Sequence, residues 1–189
     1  MKIFSEKVNR LLLDLEKSSE EFWNIPREVA QLLYFLARAK CAKKILEIGT
    51  SNGYSSIWLA EAAKVNSGVL ITVESHVGRF EMAKRNILEA GLENEVKQIL
   101  GHAPEVFSST AEILEGGFDL VFMDATKAQH VEYLKVIFGL LKPGALIVAD
   151  NVLSHVEKMQ SFVDLINQMP ELTGEVLKIG DGVLIACKL

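Results

Sequence analysis

Two stretches of this 189-residue chain end in groups that could do chemistry: Phe118–Asp124 (FDLVFMD), followed by Ala125-Thr126-Lys127, and Ala145–Asp150 (ALIVAD), followed by Asn151. Two carboxylates and an amide oxygen are hard ligands, suited to Mg2+ or a similar divalent cation. Three such ligands leave room in an octahedral shell for water and for two substrate oxygens. On spacing alone a plainer account stands beside this one. Acidic strand ends also cap helices or hold a cofactor amine, and a lone Lys127 reads as a solvated loop lysine.

A third constellation is the turn Glu47-Ile48-Gly49-Thr50-Ser51-Asn52-Gly53-Tyr54-Ser55. Glycine serves where backbone must take positive φ or approach a ligand closely. The turn follows an apolar run and opens a helical one, which is where open α/β sheets bind ligands. Glu74 ends the next apolar run, about twenty residues on, and is placed to accept hydrogen bonds from two ribose hydroxyls. A nicotinamide dinucleotide would want G-x-G-x-x-G, so that backbone packs against pyrophosphate. Here residue 51 is Ser, the glycines fall as G-x-x-x-G, and the acidic Glu47 would sit badly beside pyrophosphate. Glu47 is better placed to hold the turn, or to lie near a sulfonium and an α-amino group.

The elements that must position these groups alternate. Lys44–Gly49, Gly68–Glu74, Val96–Leu100, Phe118–Asp124 and Ala145–Asp150 read as buried strands, short and rich in Val, Ile, Leu and Phe. Helical stretches lie near Ser55–Lys64, Val77–Ala90, Ala103–Leu114 and Gln129–Leu141, with Gly91 a C-cap and Lys142-Pro143-Gly144 a stop. The alternation predicts a parallel sheet with helices on both faces, its acidic strand ends sharing one edge. Glu175–Ile179 and Val183–Lys188, joined through Gly180-Asp181-Gly182, are too close for a crossover helix and must pair antiparallel. The expected fold class is therefore α/β: a Rossmann-like, mostly parallel seven-stranded sheet ending in an antiparallel hairpin. Ahead of it, Val8, Leu11, Leu12 and Leu15 share one helix face, and Val29, Leu32, Leu33 and Leu36 share another after Pro26. Both would cap the sheet, the first being also open to a subunit contact. One structural domain is expected, with a helical cap over 1–42 and the cofactor-binding unit over 43–189.

LEIGTSNGYSS, FDLVFMDATK, LLKPGALIVADNVL and IGDGVLIACK together resemble the cation-dependent O-methyltransferases, the family of catechol and caffeoyl-coenzyme A O-methyltransferases and their small bacterial relatives. The likeness runs from about Ile25 to the C-terminus with its motifs in order. It implies S-adenosylmethionine contacts at Glu47, Gly49, Thr50, Ser55, Glu74, Ala103 and Asp124. It implies a divalent cation, Mg2+ first, on Asp124, Asp150 and Asn151, a catalytic base at Lys127, and a homodimer through the N-terminal helices. His102, next to Ala103, lies where adenine would sit and could hydrogen-bond it. In the implied reaction a cation binding two adjacent acceptor oxygens lowers the hydroxyl pKa and fixes its position, and Lys127 takes the proton.

The chain also departs from that family. Thr126 replaces the second acid of its Asp-Ala-Asp-Lys, and His130 stands near a family Tyr. After Asp150-Asn151-Val152-Leu153 the loop that covers the acceptor shrinks to Ser154–Gln160, before a helix that includes Phe162 and Leu165. The acceptor pocket is expected to be open, or closed by a partner subunit. In Phe22-Trp23-Asn24-Ile25-Pro26, Trp23 either covers the cofactor or acceptor, or packs as a core or capping residue. His130 and His155 could line the acceptor pocket, while His76 reads as surface or capping. An open pocket would suit a carrier-bound phenol or a modified RNA nucleoside. A methyltransferase that needs no metal stays open as a reading. A non-catalytic S-adenosylmethionine-binding protein is disfavoured by the Asp124/Lys127/Asp150/Asn151 set, and a nicotinamide oxidoreductase by the glycine spacing.

Composition limits the remaining classes. Hydrophobic residues at 49% and charged residues at 24% are those of a folded chain, and one of this length buries roughly 70% of its unfolded surface. A net charge of −5 gives no general attraction to phosphate backbones and counts against a nucleic-acid partner. Met1–Arg10 has no signal-like apolar stretch, and no uncharged run approaches the ~20 residues that cross a bilayer. A soluble cytoplasmic protein acting on a small hydroxylated molecule is the expectation, with Cys41 and Cys187 as two buried, reduced thiols.

Overall fold

The computed structural model describes residues 4–110 and 115–189. Helix α1 (Glu6–Glu16) begins where Ser5 Oγ accepts a hydrogen bond from Val8 N–H at 3.3 Å, satisfying one orphan amide of the first turn. A short α2 (Ser19–Phe22) leads to α3 (Arg27–Ala39), which Pro26 starts. Strand and helix then alternate: β1 (Lys44–Ile48), α4 (Tyr54–Val65), β2 (Val69–Glu74), α5 (Val77–Ala90) and β3 (Val96–Leu100). After a 3-10 turn over Glu105–Ser109 come β4 (Phe118–Met123), α6 (His130–Ile137), β5 (Leu141–Ala149), α7 (Val156–Gln168), β6 (Leu172–Leu177) and β7 (Val183–Lys188).

The seven strands run in the order β3-β2-β1-β4-β5-β7-β6. The first five are parallel, and β7 lies antiparallel to both β5 and β6. This is the α/β fold expected from the alternation. β1, β2 and β4 are buried almost end to end because helices cover both faces. Alternate side chains divide the core: Ile45, Leu70, Leu120, Phe122 and Val148 pack with α1, α3, α4 and α5. Leu46, Ile71, Val121, Met123 and Ile147 face the 3-10 turn, α6 and α7. Val8, Leu11 and Leu12 of α1 and Val29, Leu33 and Ala37 of α3 belong to the first cluster, so the N-terminal helices share the sheet's core.

Five expectations need correction. The loop expected over Ser154–Gln160 is shorter still, since the helix that follows already begins at Val156. The helix expected over Ala103–Leu114 is a 3-10 turn at Glu105–Ser109, and residues 111–114 lie outside the described residues. Ser108, Ser109 and Thr110 hydroxyls donate back to the carbonyls of Glu105 and Val106, and such local bonds compete with helix. Lys142-Pro143-Gly144 belongs to β5, where a register shift opposite Phe118–Leu120 absorbs Pro143 and Gly144 (φ +72). β6 covers Leu172–Leu177 instead of Glu175–Ile179, because six-residue β7 pairs it from Lys188 back to Val183. Cys41 is exposed in the turn between α3 and β1 and Cys187 is half-buried, so neither is a core thiol. Among the described residues no helix is long and apolar enough to cross a membrane.

Candidate active site

At the C-terminal edge of the parallel strands each chain leaves the sheet on a hydrogen bond to its neighbour. Gly101 N–H donates to Glu74 O at 2.9 Å, Gly49 N–H to Val73 O at 3.0 Å, Asp124 N–H to Ile48 O at 2.9 Å and Asp150 N–H to Met123 O at 3.3 Å. The bonds set Glu74, the glycine turn, Asp124 and Asp150 in one row at the inter-strand spacing of roughly 5 Å. Strand order reverses between β1 and β4, the switch point at which such sheets bind ligands. A cavity of about 510 Å³ opens there. Gly49, Thr50, Ser55, Glu74, His102, Ala103, Asp124, Lys127, Asp150 and Asn151 all line it. Of the residues picked out in the sequence for cofactor, metal or catalysis, Glu47 alone does not.

Gly49 adopts φ +105, and a Cβ there would fall 2.5 Å from Asp124 O. The turn after β1 can therefore pass the end of β4 only as glycine. Gly49→Ala is expected to lower the unfolding free energy by about 2–4 kcal/mol, from backbone strain and overpacking. Urea denaturation would measure it.

Glu47 lies behind the cavity wall, fully buried. Ser55 Oγ and Thr72 Oγ1 donate to its carboxylate at 2.6 Å each, and Ser56 Oγ donates as well. With the Thr72 proton so committed, Thr50 Oγ1 donates to Thr72 Oγ1 at 2.5 Å. The carboxylate thus ties the first turn of α4 and the glycine turn to β1 and β2. Burial pushes its pKa from 4.5 up to about 7, against the pull of the three hydroxyls. The folded chain therefore keeps a proton that the unfolded chain loses between those values. The resulting stabilisation is full below 4.5 and lost as pH rises through 7. The stability of wild type relative to Glu47→Gln should fall across that window by on the order of 3 kcal/mol, read from melts at a series of pH values.

On the β2–β3 side, Glu74 Oε2 accepts from Ser51 N–H and Oε1 from His76 N–H, both at 2.8 Å. Each oxygen retains a lone pair for a further donor. His76 caps α5 by accepting from Arg79 N–H at 3.3 Å. Trp23 is 70% exposed at φ +52, with the Arg79 guanidinium 4.7 Å from its ring; both line the cavity, so Trp23 is a rim residue and not a core one. Tyr54, also in the wall, donates to Glu16 Oε1 at 2.6 Å, and Arg27 Nη2 meets the same oxygen at 2.8 Å. The end of α1 is thereby tied to the cavity.

On the β4–β5 side, Lys127 Nζ bonds Asp124 Oδ1, the two side chains being 13% and 16% exposed. Burial raises the Asp124 pKa and Lys127 opposes the rise. Asp150 is 1% exposed, and burial, then the Asp124 charge, push it up to about 7. Its Oδ1 is buried without a hydrogen-bond partner. Such an atom is costly unless something compensates it, and two carboxylates with an amide oxygen are donors that a hard cation would suit. Among the described residues no three acidic, histidine or cysteine side chains converge as ligands. A cation here would rest on two carboxylates and the Asn151 amide.

His155 lines this end of the cavity. His130, expected beside it, is fully buried, with ring nitrogens 3.2 Å from Thr126 O and 3.4 Å from Met123 O. It opens α6 against Phe162 of α7, and burial pushes its pKa down to about 4. Tyr133, Arg79 and Asp181 also line the cavity, though the sequence pattern does not mark them. For Asp181 a signal existed: β7 runs antiparallel and starts at this edge, so the turn before it must lie here too.

The O-methyltransferase family model matches residues 5–189. A catechol O-methyltransferase of Niastella koreensis is 42% identical over 123 residues, 65% of this chain and 55% of the relative. Another, of Mycobacterium tuberculosis, is 37% identical over 129 residues, 68% of this chain and 57% of the relative. The chain thus spans a little over half the length of these curated relatives. Among solved structures, the O-methyltransferase of Bacillus cereus in complex with SAH has a TM-score of 0.87 at 25% identity, covering 99% of this chain and 93% of that one. A Streptomyces achromogenes O-methyltransferase involved in tomaymycin synthesis, in complex with SAM, has a TM-score of 0.84 at 29% identity, covering 98% and 90%. The model's match runs through every strand that builds the cavity, and the same architecture recurs in both solved structures: the chain belongs to the O-methyltransferase family.

Proposed function

We propose that the chain is an S-adenosylmethionine-dependent O-methyltransferase whose acceptor carries two adjacent oxygens, as a catechol does. A divalent cation, Mg2+ first, would be held by Asp124, Asp150 and Asn151. The observation that carries this reading is Asp150, a fully buried carboxylate with one unpartnered oxygen. It faces the cavity that begins at the glycine turn and holds the Asp124–Lys127 pair. The names of the catechol-methylating relatives and the SAH- and SAM-bound structures point the same way.

In this reading Glu74 accepts from the ribose hydroxyls, while His102 and Ala103 flank the adenine. Ser55 and Asp124 stand at the methionine end. A bound cation would lower the acceptor hydroxyl's pKa and fix both its oxygens. Lys127 Nζ, paired as an ammonium with Asp124, first gives its own proton to solvent and then takes the hydroxyl proton, Asp124 stabilising the ammonium that re-forms. The acceptor oxygen's lone pair forms the bond to the sulfonium methyl, and the C–S pair leaves with sulfur, giving a methyl ether and S-adenosylhomocysteine. Because Asn151 leads within a few residues into α7, the acceptor side is edged by His155 and Asp181 and has room for a bulky acceptor.

The test is isothermal titration of dihydroxybenzoate into protein saturated with S-adenosylhomocysteine, first with Mg2+ and then with EDTA. Binding that needs Mg2+ supports the whole reading. Cofactor binding without a Mg2+-dependent catechol signal rejects the cation and acceptor assignments, and no cofactor binding rejects the activity itself.

A further inference from the structure

We infer that Asp181, in the turn between β6 and β7, is a positioning residue that sets which face of the Asn151 amide looks into the cavity. The inference rests on the cation reading above. An asparagine can ligate a hard cation only through Oδ1, yet Oδ1 and Nδ2 are nearly alike in shape, so something must specify the orientation. An ionised carboxylate can only accept. Asn151 Nδ2 lies 3.4 Å from Asp181 Oδ2, which assigns the N–H face to the hairpin and leaves Oδ1 on the other branch of the amide. Both side chains line the cavity.

The hairpin turn is itself fixed against the ligand loop. Leu153 N–H and Ser154 N–H donate to Asp181 O at 3.0 and 3.1 Å, and Val152 N–H donates to Gly182 O at 3.0 Å. Gly182 presses on Leu153 so closely that a Cβ would fall 2.6 Å from its Cβ and 2.8 Å from its nitrogen. Asn151 sits at φ +64, a left-handed conformation that a non-glycine residue keeps where its surroundings impose it. The end of the hairpin is thus a template for the loop that carries Asn151, and the Asp181 carboxylate orients the amide on that template. Partners of this kind, one bond removed from a cation, typically change its affinity by ~10–100-fold.

The test measures Mn2+ binding, by the electron paramagnetic resonance signal of free Mn2+, to the full chain loaded with S-adenosylhomocysteine. Asp181→Ala should weaken Mn2+ binding by ~10–100-fold, while cofactor affinity and the melting temperature in EDTA stay unchanged. In an Asn151→Asp background the ligand has two equivalent oxygens and no wrong face, so Asp181→Ala should cost much less there. Unchanged Mn2+ affinity in Asp181→Ala overturns the inference. Equal losses in the two backgrounds overturn it too, because they would mark a charge effect without orientation. Wild-type protein that takes up no Mn2+ overturns the cation reading and this inference together, which separates that failure from the other two.

Discussion

Asp150→Asn is expected to do two opposite things: remove cation-dependent turnover and make the cation-free protein more stable. The side chain is 1% exposed and its Oδ1 has no partner, so the folded chain carries a desolvated carboxylate that the Asn151 backbone and the Lys127 charge offset only in part. Replacing it with a neutral group of the same shape should raise the unfolding free energy in EDTA by about 1–2 kcal/mol. Melts near pH ~8 suit the comparison, since the group is pushed up to about 7 and its ionisation penalty is complete only above that value. Mg2+ at 100 times its dissociation constant should stabilise wild type by ~2.7 kcal/mol and leave the variant unmoved. For a catechol acceptor kcat/KM should fall by ~10²–10³-fold, with cofactor binding retained. A variant less stable than wild type in EDTA would mean that Asp150 is already paid for by the protein, and the cation would lose its main support.

The sheet was legible because its strands are short apolar runs closed by glycine or acid, and burial on both faces leaves them no other pattern. Once strands are parallel, their C-terminal ends share an edge, so the pattern alone groups Glu74, the glycine turn, Asp124 and Asp150. What the pattern could not carry was side-chain direction. Glu47 lies next to last in β1 and Asp124 just past the end of adjacent β4, yet Glu47 turns under the wall to three hydroxyls while Asp124 faces the cavity. His130 was misplaced for the same reason: being near the edge in sequence did not say that α6 packs its first turn against α7. Asp181 was overlooked because Gly-Asp-Gly reads as turn chemistry, and only the contact with residues 152–154 shows what the turn touches. The serines and threonine after Pro104 defeated the helix expected there through hydroxyl bonds to the local backbone, which apolar periodicity does not register.

Lys127 combines two roles that substitution can separate. Its Nζ holds the Asp124 carboxylate in a pair that is mostly buried, and in the proposed reaction the same nitrogen accepts the acceptor's proton. Lys127→Met removes both. Turnover should fall by roughly 10²–10⁴-fold, the usual contribution of a positioned base. The cation-free protein should also lose about 3–5 kcal/mol, because Asp124 is left desolvated without its counter-charge. Lys127→Arg keeps a permanent positive charge and donors that can reach a carboxylate, but it cannot give up its proton at ordinary pH. Its melting temperature in EDTA should therefore stay near that of wild type while kcat drops as far as in Lys127→Met and the KM for S-adenosylmethionine changes little. An arginine variant that turned over like wild type would show that the lysine serves only as the partner of Asp124. The acceptor proton would then leave by another route, with water in the open acceptor side of the cavity the nearest candidate.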